Sequence, residues 1–135
     1  MTTDRPSTEF VKSQSESSPE SAGAAAARTA LAGFAARSDL VREFLAAPFG
    51  RHSAELRFIL DVMRSQPVAG KWFTVMTKPY SEWRALRWSL DLPMRVAETA
   101  PGRFQSREDV ERWVFKQRWG HLIGALPLQE GEDDA

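Results

Sequence analysis

The chain has 135 residues, 42% of them hydrophobic, which suits one domain. Its 18 basic and 18 acidic groups cancel, and it has no cysteine, so a disulfide framework and a thiolate metal site are both excluded. No apolar stretch is long enough for a membrane span and no basic leader precedes the Ala run at 24–27, so the expected setting is the cytoplasm.

Residues 1–27 form a Ser- and Ala-rich segment whose only basic groups are Arg5 and Lys12, against Asp4, Glu9, Glu16 and Glu20. Such a composition buries too little apolar surface to offset the entropy of ordering it, so this tail is expected to be disordered. Residues 127–135 read as an acidic tail with Glu130, Glu132, Asp133 and Asp134. Without the two tails, the single domain expected over 28–126 carries about +6, which is moderately basic.

Within that domain Leu31, Phe34, Leu40, Val41, Phe44 and Leu45 predict an amphipathic helix, or two helices broken near Ser38, with Ser38-Asp39 as an internal N-cap. Pro48 and Gly50 end it. Ser53 caps the next helix, Glu55 lies in its first turn, and Leu56, Ile59, Leu60 and Met63 make an apolar stripe at i, i+3, i+4 and i+7. Phe58 and Val62 lie off that stripe and either widen the buried face or meet another subunit.

The stretch from Gly70 to Trp88 predicts a β-hairpin. Trp72, Thr74 and Met76 alternate with Phe73, Val75 and Thr77, Pro79-Tyr80-Ser81 turns the chain, and Trp83, Ala85 and Arg87 then alternate with Arg84, Leu86 and Trp88. Leu90 to Arg103 has no clean period and reads as an irregular connection, after which Phe104 begins a short third strand. Ser106 caps a last helix with Glu108 and Asp109 in its first turn. That helix has two apolar stripes, one of Val110, Trp113, Val114 and His121, the other of Phe115, Trp119, Leu122 and Leu126. One is expected to cover the hairpin; the other needs the first helices or a partner chain. The fold class is therefore α+β, with helices flanking a short antiparallel hairpin or three-stranded sheet.

Nothing in the chain spells out catalysis. His52 and His121 are far apart and lack carboxylates at ligand spacing, so they read as a turn-stabilising residue and a residue at a helix end. No nucleophile elbow, phosphate loop or dinucleotide fingerprint is present. Glu108, Asp109 and Glu111 are what a helix start favours, without an acid and base role.

The five Trp fall in the hairpin and last helix among Lys71, Arg84, Arg87, Arg112, Lys116 and Arg118. This mixture suits a protein interface, where Trp and Arg are enriched, or single-stranded nucleic acid, where rings stack bases and cations follow phosphates. A protein interface is favoured, because the body is only moderately basic and both tails repel phosphate. The alternative is a small nucleic-acid-binding or regulatory protein using a basic, Trp-rich hairpin; an independent small enzyme would need a pocket of convergent polar groups.

Pro48-Phe49-Gly50, His52, Leu56, Met63-Arg64, Pro67, Gly70-Lys71-Trp72, Glu82-Trp83, Phe104, Val114-Phe115 and Arg118-Trp119 together resemble the small subunit of N,N-dimethylformamidase and its relatives, over about Ala47 to Gly124. The resemblance implies a small, mixed helix and sheet chain that binds a large catalytic subunit. The large chain would carry a mononuclear iron held by tyrosines and a glutamate and would hydrolyse small amides. The small chain would supply assembly and stability, with no catalytic residue, metal ligand or cofactor of its own. The residues expected to bind the partner are Gly70, Lys71, Trp72, Trp83, Phe115, Arg118 and Trp119.

Overall fold

The computed structural model describes residues 19–68 and 70–129. The disorder expected of the first eighteen residues and the end of the acidic tail lie outside the described residues, as does Ala69. In chain order the elements are α1 (Pro19–Leu31), a 3-10 turn (Ala32–Phe34), α2 (Ser38–Ala46), α3 (Ala54–Arg64), β1 (Trp72–Lys78), β2 (Glu82–Trp88), β3 (Val96–Thr99) and α4 (Arg107–Leu122).

Helix α1 runs across the boundary that composition suggests at residue 27. Its Ala run has the highest helix propensity available. Ala27 and Leu31 also bury themselves in the helical core, where α1 packs on α3 and α4. At the other end, Leu126 and Leu128 lie against the same core, so the ordered chain extends beyond residue 126.

The break before α2 falls at Ser38 as expected, but Ser38 is the first helical residue and not the cap. Arg37 holds the N-cap position without a side-chain cap bond. Its guanidinium instead donates to both carboxylate oxygens of Asp39, at 3.0 and 2.9 Å, and to both of Glu55, at 2.8 and 2.9 Å. This fork ties the start of α2 to the start of α3. The Ser38 hydroxyl accepts from Arg42.

Helix α3 begins as predicted, with Ser53 Oγ accepting from the Leu56 amide and Glu43 accepting from both the Ser53 amide and hydroxyl. Leu56, Ile59, Leu60 and Met63 are all buried. Val62 widens the buried face, while Phe58 stays exposed with its ring 6.1 Å from that of Phe34.

The sheet is antiparallel in the order β1-β2-β3, with Trp72 opposite Arg87 and Met76 opposite Trp83. The third strand lies inside the segment expected to be irregular, where Thr99, Glu98 and Val96 pair with Leu86, Arg87 and Trp88. Every residue of β3 is exposed, so no apolar period marks it in the sequence. Phe104, expected to begin that strand, forms an isolated bridge with Trp83, each amide donating to the other's carbonyl.

Helix α4 starts with Ser106 Oγ accepting from the Asp109 amide. Its two stripes separate two cores. Val110 and Val114 pack with Ala85 and Ala100 against the sheet, flanked by Trp72, Trp83, Phe104 and Trp113. Phe115, Trp119 and Leu122 complete the helical core, with the Phe115 ring stacked on Phe44 at 4.1 Å. The chain's own first helices thus cover the second stripe. His121, expected on the first stripe, is exposed in the last turn.

Candidate functional site

Where the C-terminal end of α3, the start of the hairpin and the last turns of α4 meet, a cavity of about 280 Å³ opens to the surface. Gly70 shapes one side. Its positive φ of 76° suits the turn between α3 and β1, and its amide donates to the Ser89 carbonyl at 3.2 Å. Lys71 follows directly and donates from Nζ to the Arg64 carbonyl at 2.9 Å and the Gln66 carbonyl at 3.5 Å. A lysine over the last carbonyls of a helix is favoured by the negative end of the dipole. The same ammonium is nevertheless pushed below the usual lysine range, first by burial and then by Arg118 and Arg64.

Arg118 closes the cavity from α4. Its Nη2 donates to the Trp72 carbonyl at 3.0 Å, while its buried Nε finds no acceptor. Burial lowers its pKa; the nearby Glu111 carboxylate works against that shift, and Arg64 adds a smaller push in the same direction as burial. Arg87 reaches the cavity from β2, held by an Nε bond of 3.0 Å to Glu98 of β3. Met63, Trp72, Leu90 and Leu122 supply apolar wall, and among the described residues no carboxylate lines the cavity. The local field is therefore positive.

Gly70, Lys71, Trp72 and Arg118, four of the seven residues expected to bind a partner, are thus brought together around one opening. Trp83 stands apart, at the far end of the hairpin, bridged to Phe104 and packed toward α4. Phe115 and Trp119 are 2% and 0% exposed. They are inside the helical core because α1, α2 and α3 cover the stripe they occupy, so neither can touch a partner while the fold is closed. Arg87 and Leu90 are cavity residues that sequence reasoning missed. The alternation of β2 put Arg87 on the same face as Trp83 and Ala85, which was the available signal.

The sheet has a second surface. Helix α4 packs on the face bearing Trp72, Ala85 and Trp83; Phe73, Val75, Arg84, Leu86 and Trp88 are on the other. Among the described residues no helix packs on that outer face. Phe73 and Trp88 stack across the hairpin with ring centroids 4.6 Å apart. Val96 extends the surface onto β3 and is exposed, as are Leu90 and Met94 beside it.

His52 lies 2.8 Å through Nε2 from the Ala47 carbonyl and against the Phe44 ring, holding the turn after α2. Among the described residues no group of three His, Cys, Asp or Glu is placed to hold a metal, and no helix is long and apolar enough to cross a membrane.

A family model described as the N,N-dimethylformamidase alpha subunit matches residues 26–127, from the second half of α1 to beyond α4. No curated protein matches the chain. The chain belongs to the N,N-dimethylformamidase alpha-subunit family.

Proposed function

We propose that this member of the N,N-dimethylformamidase alpha-subunit family is a small accessory subunit that docks on a large catalytic chain through the outer face of its sheet. The observation that carries the reading is the composition of that face. An antiparallel sheet with one face in water normally turns polar residues outward. Here most of the outward positions are apolar: Phe73, Val75, Leu86, Trp88 and Val96 share the face with Arg84 and Thr99. Two stacked rings at the open end of the hairpin, beside β3, match the aromatic anchors that dominate interface energetics.

The catalytic work, hydrolysis of a small amide at an iron centre, is assigned to the partner. This chain acts by linkage in a cytoplasmic hetero-oligomer: a partner binding only the folded form stabilises it by about 2.7 kcal/mol at 100 times Kd. Gly70, Lys71, Trp72, Trp83 and Arg118 shape the hairpin that presents the face, and Phe115 and Trp119 hold α4 beneath it.

The test is recovery of the tagged full chain from its own cells at moderate salt, with native mass and iron content measured. A stoichiometric large chain containing iron is expected, and Trp88→Ala should weaken that assembly by about 2 kcal/mol while the chain remains folded. A folded monomer with no companion would defeat the reading. Nucleic acid bound with an affinity falling steeply with salt would replace it.

A further inference from the structure

We infer that the cavity between α3, the hairpin and α4 is a binding site for a carboxylate group carried on a short apolar body. Three cationic side chains from three different elements converge there: Lys71 before β1, Arg87 in β2 and Arg118 in α4. None of them meets an acidic residue in the lining. Lys71 and Arg118 are bound only to backbone carbonyls, and Arg87 uses Nε alone on Glu98, on the adjoining strand. Guanidinium donors are thus left over at a site that repels further cations.

Several features select the ligand. A volume of about 280 Å³ lies just under the roughly 300 to 1,000 Å³ of ordinary small-molecule sites, so a nucleotide is too large. The planar, two-oxygen geometry of a carboxylate matches a guanidinium fork better than a point charge does. The wall facing these cations is Met63, Trp72, Leu90 and Leu122, which favours an apolar body over a second charge. An anion would also supply a counter-charge to Lys71, on which only burial and the neighbouring Arg118 and Arg64 act, and would add to the partial one that Glu111 gives Arg118. The carboxylate is either that of a small free acid or that of a residue on another chain, and the chemistry of the cavity is the same for both.

The probes are benzoate and acetate, titrated into the full chain at constant ionic strength, with sodium chloride and inorganic phosphate as controls. Thermal unfolding and calorimetry are the readouts. Benzoate should raise Tm beyond the chloride control and bind more tightly than acetate or phosphate. Arg118→Gln and Arg87→Gln should each weaken benzoate about tenfold or more. Arg87 is partly exposed near the end of the central strand, so Arg87→Gln keeps the test valid if the Arg118 variant fails to fold.

The inference is overturned if benzoate stabilises no more than chloride, if phosphate binds equally well, or if both variants bind benzoate unchanged. The source of the carboxylate follows from repeating the titration on the assembled complex. A free acid binds the chain alone and in the complex; a partner carboxylate blocks benzoate in the complex, and excess benzoate then loosens assembly. Loss of assembly in Trp88→Ala leaves the free-chain titration intact, so this site and the docking face fail or stand separately.

Discussion

Trp119→Ala separates a core residue from an interface residue, because the two roles predict opposite measurements. The indole is wholly buried, its ring 5.8 Å from Phe115, in the helical core. Truncating a buried Trp costs about 3 to 5 kcal/mol. The Nε1 donor has no acceptor, so removing it returns part of the penalty of an unpaired buried N–H, and the lower end, about 3 kcal/mol, is expected. With a urea m-value of about 1 to 1.5 kcal/mol per molar for a domain of this size, the midpoint should fall by about 2 to 3 M.

The assay is urea unfolding of the free full chain followed by far-ultraviolet circular dichroism, since removing one of five Trp alters the fluorescence baseline. Trp119→Phe keeps a ring against Phe115 and deletes the orphan donor, so it should cost about 1.5 kcal/mol or less. A Trp119→Ala chain that unfolds at the wild-type midpoint yet fails to assemble would refute the core assignment and return Trp119 to the interface.

Two further substitutions probe local features of the fold. Tyr80, at the hairpin tip, has a φ of 56° and is 87% exposed, so Tyr80→Gly removes strain and loses almost no packing. It should stabilise by about 0.5 to 1 kcal/mol, a Tm increase of about 2 to 8 °C; a decrease would count against strain at this position. The second concerns pH. Hydrogen bonds from Arg37 hold the Glu55 and Asp39 carboxyls below their ordinary values of 4.5 and 3.8. Their contribution is complete above those values and is lost as pH falls through the lowered folded ones, because the unfolded chain takes up the protons first. Arg37→Met should therefore flatten the acid limb of a plot of urea midpoint against pH, starting from about 4.5 downward, and parallel limbs would disprove the linkage.

The elements legible in the sequence are those whose signals are local and whose faces are covered. Ser53 and Ser106 cap helices as their positions predict, and the stripe from Leu56 to Met63 is buried as its spacing requires. The hairpin is read correctly because β1 and β2 are long and alternate. What failed depends on contacts distant in sequence. Residues 96–99 pair with β2 through backbone bonds on an exposed edge, so no side-chain pattern announces them. Ser38 has the chemistry of a cap, but Arg37 finds Asp39 and Glu55, the latter eighteen residues away, and takes the boundary position.

The partner set divides for a related reason. Trp and Arg abundance does not distinguish a Trp turned inward, such as Trp119, from one turned outward, such as Trp88; the first depends on which stripe of α4 the first helices cover, the second on which face of the sheet α4 covers. Gly70, Lys71, Trp72 and Arg118 do meet, but around a cavity whose remaining cation, Arg87, comes from the other strand of the hairpin. Alternation assigns Arg87 a face, and only the fold supplies its neighbours.

Arg118 and Trp119 are adjacent on α4, and each buries a donor that has no acceptor. Lys71 beside them is held below its ordinary value of 10.5. For a lysine lowered in this way the unfolded chain holds the proton more tightly, so charged Lys71 opposes folding at every pH below its folded value. Stability returns as pH rises through the interval ending near 10.5. A domain of roughly 100 ordered residues has little stability to spare for such costs.

A purely structural Arg118 would be an odd use of the position. Its bond to the Trp72 carbonyl contributes about 1 kcal/mol or somewhat more, whereas burying a cation costs several, and the Glu111 carboxylate offsets only part of the burial. Arg118→Met should therefore leave the urea midpoint of the free chain unchanged or raised, and should erase its response to benzoate. A structural arginine predicts the reverse pair, a lowered midpoint with the benzoate response intact. The two signs together decide whether the charge is there to hold the fold or to meet an anion.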